Sequence, residues 1–482
     1  MITTSALRLS PIGRKALLTG AALFFGAAQL LLAKPKIIVE TDIGGDRDDQ
    51  ESIIRLLLHS NDLDIEAIIC SRGPDDFLND PNAASNPDPA NIDEGRDLAK
   101  YYIDLYDAYD ENLRKHDPDY PTANFLSNRV YPGWRNTNAG RDELISIVDG
   151  LSNGEFIYYM NWGCNVPNTV DSLVRALQKV KAERSNSEYL NFLGKIRIVS
   201  LDGNGGKPSG ENTRIGYDWG DQYNADIAAA GTFHVATGWP EGDIGDSWDV
   251  RWYHRFNNIT SRAGGFKPWE DLTADHGTLA AEYEELGDKE GDSWCFVYTL
   301  SESYGISDPE QPTWGGMAGR YNPRDGGHSS VIGEPFYWND EADSWNGTTN
   351  RDQTAARFAA ALQRDFQVRL DWLKDSFSES NHPPVPTLSA GGASVTKGVL
   401  EMDAAAGSTV NVSATVSDPD SGDSHSYLWT YYREAGTYNG SVSISNASSA
   451  NASIAIPSNA SLGDQIHVYL TVTDDGSRKG DR

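Results

Sequence analysis

The hydrophobic and polar positions of the chain follow one pattern up to about residue 380 and another beyond it. In the first part, short apolar runs alternate with amphipathic ones. "KIIVE" is an apolar run of strand length, "QESIIRLLLHS" has helical character, and "DIEAIICS" is a second apolar run. That order predicts a βαβ unit and hence a parallel sheet, because parallel strands need a crossover between them. Downstream, "GEFIYYMNW" and "KIRIVSL" read as strands, with the amphipathic helix "NTVDSLVRALQKVKAERS" between them. "RDQTAARFAAALQRDFQVRLDWLKDSF" reads as a long helix that closes the region.

Between Ser376 and Gly392 prolines, serines and glycines take over, in "SFSESNHPPVPTLSAGG". Such a stretch reads as a linker. Beyond it the apolar positions alternate with a period of two, as in "STVNVSATVS" and "DQIHVYLTVTDD", between turn clusters. That pattern predicts an immunoglobulin-like β-sandwich. The expected organisation is a signal peptide over 1–33, an α/β domain of mostly parallel sheet flanked by helices over 34–380, a linker over 381–392 and a sandwich over 393–482. The alternation stops shortly after "TDDG", so the sandwich is expected to lack a last edge strand.

The chain has 482 residues and a formal charge of −30, from 70 acidic against 40 basic residues. This length suits more than one domain. The charge argues against polyanionic partners such as nucleic acid. Cys70, Cys164 and Cys295 are far apart and odd in number, which points to no disulfide framework and no cysteine metal cluster. Cys70 and Cys295 adjoin apolar runs and read as buried small hydrophobes.

Arg8, Arg14 and Lys15 precede the mostly apolar run Ala16 to Ala33. Charge followed by an apolar run is the order of a secretory signal, and export is the reading adopted, to a secreted or periplasmic location. A membrane anchor is the competing reading, weakened by Gly20, Gly26 and Gln29. No stable membrane insertion is expected after signal cleavage.

Composition alone names no chemistry, but "VETDIGGDRDDQES" does. It gathers Asp42, Asp46, Asp48, Asp49 and Glu51 where a strand hands over to a helix, with Arg47 among them. Aspartate is a good N-cap, and acids near a helix N-terminus gain about 0.3–1 kcal/mol each, which accounts for one or two of them. Several converging carboxylates raise one another's pKa and oppose folding unless a cation neutralises them. Calcium suits such an irregular oxygen-rich loop better than magnesium.

This stretch resembles the signature of the nucleoside hydrolase superfamily, in which an aspartate at a strand end, a glycine turn and an Asp-Asp pair hold one calcium ion. A longer loop, Gly44 and Gly45 included, separates Asp42 from Asp48 than the usual motif has. In this it resembles the nucleoside-hydrolase-like cellulose-binding proteins, which are secreted and end in a β-sandwich. "LDIEA", "WGCNVPNTVDSL", "EGDSWCFVYTL", "SDPEQPTWGGMAGRY", "NHPPV", "DPDSGD" and "YREAGTY" are similar to segments of that family. The resemblance spans nearly the whole chain after the expected signal.

The resemblance implies a role for each matching residue. Asp42 takes the place of the aspartate that ligates calcium and accepts the proton of the attacking water. Asp49 matches the bidentate calcium ligand, and Asp48 the acid that orients sugar hydroxyls, with Asp46 the alternative because of the lengthened loop. The carbonyl of Trp162 (or Gly163) and the carboxylate of Asp292 would complete the calcium shell. Asn168, in "PNT", and Trp314, in "PTWGG", would face substrate.

Where many nucleoside hydrolases carry a histidine that assists the leaving base, this chain has Gly291. His276 and His328 are the nearest substitutes, each also readable as structural; Asp202 and Asn204 lie in a loop too altered to carry a role. All but one of the thirteen tryptophans precede the linker. Trp239, Trp248, Trp252 and Trp269, in an irregular stretch, suit either a sugar-stacking cleft or the filling of a core. In the sandwich, "SDPDSGD" reads as a second calcium site or an Asp-rich turn, and "LWTYY" as a core strand or an aromatic strip.

Three functions are thus expected in order. They are a secreted calcium-dependent hydrolase of a glycosidic bond in a glycan or glycoside, a non-catalytic polysaccharide-binding protein, and a scavenging nucleoside hydrolase.

Overall fold

The computed structural model describes residues 2–12, 34–45, 47–74, 92–134, 136–162, 171–201, 220–237, 275–286, 290–323, 336–338 and 341–476. The first strand, β1 (Ile2–Ile12), belongs to the C-terminal sandwich. The "KIIVE" run becomes β2 (Lys36–Thr41) of an eight-stranded sheet. Its partners are β3 (Asp64–Cys70), β4 (Val130–Pro132), β5 (Ile157–Trp162), β6 (Ile196–Ser200), β7 (His234–Ala236), β8 (Asn322–Pro323) and β9 (Phe336–Trp338). The order is β4-β3-β2-β5-β6-β7-β9-β8, parallel throughout except for the last pair.

Every residue of β5, and all of β2 after Lys36, is buried. Helices cover both faces, which is why these strands read as continuous apolar runs. One face packs Ile37 and Val39 against Ile53, Phe296 and Leu362; the other packs Ile38 and Ile69 against Leu144 and Leu177. From β2 the chain steps outward to β3 and β4, then returns to lay β5 on the opposite side. The carboxyl ends of β2 and β5 therefore flank a topological switch point, where open α/β sheets bind their ligands.

Past the hairpin β10 (Asp343–Trp345) and β11 (Thr348–Asn350), the helix Gln353–Asp371 closes the α/β domain. The sandwich is built from β12 (Val385–Ala390), β13 (Ala393–Thr396), β14 (Val399–Ala405), β15 (Thr409–Ser417), β16 (His425–Tyr432), β17 (Ser443–Ser445), β18 (Asn451–Ala455) and β19 (Ile466–Asp474). One sheet has the order β13-β12-β15-β18-β17, the other β14-β1-β19-β16. Trp429 of "LWTYY" is enclosed in the core between them, while Leu428 is exposed.

Two boundaries differ from the sequence expectation. Within the stretch expected as a linker, Pro386, Leu388 and Ala390 alternate inward, so β12 forms despite the prolines that precede it. At the N-terminus, residues 2–12 were grouped with the signal peptide by their charge; they pair as β1 because Leu7 and Leu9 alternate with polar neighbours. Residues 13–33, which hold the apolar run, lie outside the described residues. Among the described residues no helix is long and apolar enough to cross a membrane.

The two domains share a polar and aromatic junction. Asp343, fully buried, accepts from Arg320 Nε at 3.0 Å and from Tyr432 Oη at 2.6 Å, with Arg357 Nη2 3.3 Å away. Elsewhere His116 Nε2 donates to the Asp375 carbonyl, so its Nδ1 accepts from His382 Nε2 at 3.0 Å. His382 in turn meets Asp420 through Nδ1 at 3.0 Å and its backbone N–H at 2.6 Å.

Candidate functional site

Asp42 follows β2 directly, and the turn after it is set by glycine. Gly44 has φ 92°, a left-handed conformation that side chains other than glycine's rarely adopt. The Gly45 amide donates to the Asp42 carbonyl at 3.0 Å. A Cβ on Gly45 would stand 2.7 Å from Arg72 Nη1 and 3.2 Å from Asp42 Oδ2. The turn thus brings an arginine from the end of β3 alongside the Asp42 carboxylate.

Asp48 and Asp49 open the helix Asp48–Leu58, and both are buried. Thr41 Oγ1 bridges the turn: it donates to Asp49 Oδ1 in a short hydrogen bond and accepts from the Ile43 amide at 3.0 Å. Asp292 immediately precedes the helix Ser293–Ser303 and makes no side-chain capping bond there. Carboxylate oxygens of Asp48, Asp49 and Asp292 lie within 4.8 Å of one another, a spacing that fits a metal ion.

Asp292 tests whether the group fits. It is 1% exposed, and neither carboxylate oxygen has a hydrogen-bond partner. Its carboxyl is pushed well above the usual range, first by burial and then by the charges of Asp48, Asp49 and Asp42. A lone buried carboxylate costs several kcal/mol, more than a helix N-terminus returns. A divalent cation would supply the missing partner, and hard oxygen donors suit calcium. The residues present fit the ion.

The loop that carries Asp292 is locked to the Asp48 helix by a buried polar network. Positions 48, 52 and 55 share one helix face. Ser52 and Ser293 hydroxyls meet at 3.1 Å, and Arg55 pairs with Glu290 through Nε and through Nη2 at 2.9 Å. Glu290 also accepts from Tyr283 Oη at 2.7 Å and Ser293 Oγ at 2.9 Å, while its own amide donates to Glu51 at 3.1 Å. Sequence reasoning chose Asp292 from "EGD" and passed over Glu290 in the same triplet. The signal available was Arg55, a charge inside the apolar run "IIRLLL", which demands a buried acid.

Trp162 ends β5 opposite Thr41 of β2 and is buried, with its ring 5.9 Å from Phe296. Beneath it, Glu40 accepts from the Ser172 amide at 2.9 Å and from Tyr159, tying β2 to the start of the helix Ser172–Glu183. Burial pushes the Glu40 carboxyl up against these hydrogen bonds.

The remaining sequence candidates fall elsewhere. Trp314 is 5% exposed at the domain junction, with the Arg8 guanidinium 4.2 Å over its ring and His467 against it. That enclosure gives it a packing role instead of an open face for a sugar. His276 Nε2 pairs with Asp371 at 2.9 Å, a structural contact to the closing helix. Cys70 and Cys295 are buried as expected. In "SDPDSGD", Asp418, Asp420 and Asp423 cluster, but Asp420 is engaged by His382 and Asp418 by His425. Asp46, Gly163, Cys164, Asn168, Asp202, Asn204, His328, Trp239, Trp248, Trp252 and Trp269 lie outside the described residues.

Comparison with known proteins places the chain in a family. The family described as "Cellulose-binding Sde182, nucleoside hydrolase-like domain" matches residues 36–321. A second, "Cellulose-binding protein Sde0182, C-terminal domain", matches residues 409–479. A solved structure of a nucleoside hydrolase-related hypothetical protein from Saccharophagus degradans, described as associated with carbohydrate metabolism, is similar with a TM-score of 0.66. It is 27% identical, over 92% of this chain and 97% of that one. No curated protein matches the chain.

Proposed function

Because the chain belongs to the family of cellulose-binding proteins with a nucleoside-hydrolase-like domain, we propose that it is an exported, calcium-dependent hydrolase of a glycosidic bond in a glycan or glycoside. The observation that carries this reading is Asp292, buried and without a hydrogen-bond partner beside Asp48 and Asp49 at the switch point. When bound, calcium would lower the pKa of a water and hold vicinal sugar hydroxyls.

The chain's own residues divide the remaining work. Asp49 and Asp292, with Asp48 beside them, would hold the ion, and the family resemblance adds Asp42 and the Trp162 carbonyl as its further donors. Asp42 is half-buried at the mouth of the crevice. There it accepts the proton of the attacking water as general base. Asp48 orients the sugar, and the surrounding carboxylates favour the positive charge that develops at the anomeric carbon. Arg72 places its guanidinium on the same side of the Gly45 turn as the Asp42 carboxylate.

A second reading, a polysaccharide-binding protein without turnover, is favoured by the family description and by Gly291, which offers no acid to the leaving group. The discriminating experiment is release of reducing sugar from a panel of small glycosides, with and without chelator. Calcium-dependent release abolished by Asp42→Ala supports the hydrolase. Retention on insoluble cellulose that survives chelation and Asp42→Ala, with no turnover, supports the binder. Release of free base from inosine or uridine would instead support a scavenging nucleoside hydrolase.

A further inference from the structure

β1 is the second strand of a sheet whose other members all lie between residues 399 and 474. Ala6–Ile12 runs parallel to Val399–Ala405, and Ile2–Leu9 runs antiparallel to Thr473–Ile466. Among the described residues β14 and β19 are not paired with each other, and β1 lies between them. With β1 withdrawn, two strand edges would face each other across a gap of about 9–10 Å, twice the normal strand spacing. Such edges are templates for an added strand.

The gap selects side chains as well as backbone. Leu7 and Leu9 point into the sandwich core among Leu388, Trp429, Val468 and Leu470, and neither is exposed. The opposite face of β1 meets the α/β domain. Ala6 joins the large core cluster, and Arg8 pairs with Glu401 at 2.6 Å while lying over Trp314. Two apolar anchors, a small residue and a cation, in alternation, therefore form the recognition pattern.

We propose that the gap between β14 and β19 is a strand-receiving site, which binds an extended peptide of the Ser5–Leu9 pattern and holds it without a covalent link. Its occupant is residues 2–12 of this chain. Among the described residues, the strand pairs of that segment, the packing of Leu7 and Leu9 and the contacts of Arg8 are all made with residues after 300. The site is independent of the crevice chemistry.

The test uses the full chain with a protease recognition sequence placed within residues 13–33 and cleaved after folding. Size-exclusion chromatography with mass spectrometry should show the released N-terminal fragment co-eluting with the body. A fluorescent peptide of residues 2–12 should exchange into the site. The same peptide carrying Leu7→Asp and Leu9→Asp should bind at least 100-fold more weakly, and one carrying Arg8→Ala about 10-fold more weakly. The proposal is overturned if the fragment separates on cleavage, whether or not the body stays folded, or if the doubly substituted peptide binds as well as the native one.

Discussion

Arg55 and Glu290, 235 positions apart in sequence, meet as an ion pair with neither side chain exposed. This pair fixes the loop that carries Asp292 onto the helix that carries Asp48 and Asp49, so the geometry of the acid cluster depends on a contact outside it. Removing one partner leaves an uncompensated buried charge, which costs about 3–5 kcal/mol. Glu290→Gln or Arg55→Met should lower the free energy of urea unfolding by that order and weaken calcium binding. An unchanged denaturation midpoint in either variant would contradict the role.

Calcium should stabilise the protein. At a free concentration of about 100 times its Kd, the gain is about 2.7 kcal/mol. Asp292→Asn removes the buried carboxyl that lacks a partner, so the variant should melt higher than the wild type in chelator and show no shift on adding calcium. Differential scanning fluorimetry with a calcium titration reads both effects. A calcium shift retained in Asp292→Asn would place the ion elsewhere.

Two buried histidines should make stability depend on pH. Burial lowers His234 to about 3, and burial with the nearby Arg8 charge lowers His467 to about 3. An unfolded histidine titrates near 6.5. Between those values the folded chain binds fewer protons than the unfolded one. Stability from these rings is therefore full above about pH 6.5 and falls as the pH drops towards 3, by up to about 1.4 kcal/mol per pH unit for each ring. Urea midpoints at about pH 7.5 and about pH 5 should differ, and His467→Gln should reduce the difference. Equal midpoints for the wild type would refute the account.

Asp343 couples the two domains through Arg320, Arg357 and Tyr432. Tyr432→Phe deletes one hydrogen bond to a charged group, worth about 1.5–3 kcal/mol. Asp343→Ala removes the buried acid that Arg320 and Arg357 share, leaving them, among the described residues, only Glu341 and Glu434, and should cost more. Calorimetry should show one transition in the wild type and two in Asp343→Ala; a single, equally sharp transition would show that the junction does not set cooperativity.

Much of the α/β domain was legible because its strands and helices carry strong local periodicity. β2, β3, β5, β6 and the helix Gln353–Asp371 lie where apolar runs predicted them. The acid turn was legible too, since crowded carboxylates carry a local electrostatic cost. What remained hidden depends on partners distant in sequence. A charge such as Arg55 or Glu290 announces that it needs a counterpart, not which one. "ITTSALRLSPI" carries strand alternation, but its charge and the apolar run after it argued for a leader. Trp314 looks like a sugar platform in a Gly-rich segment, and only the position of His467 and Arg8 shows that the sandwich covers it. Proline signalled a break near 384, yet β12 begins at Val385, because proline restricts the start of a strand less than its middle.

The separation of Asp48 and Asp49 from Asp292 along the chain would fix when the proposed ion could be captured. A nascent polypeptide emerging with only its first helix would offer an incomplete set of donors. On the proposed reading, the full set would assemble only once the segment at 290–303 has docked, so loading would follow completed folding and the medium around the finished molecule would decide whether the ion is taken up.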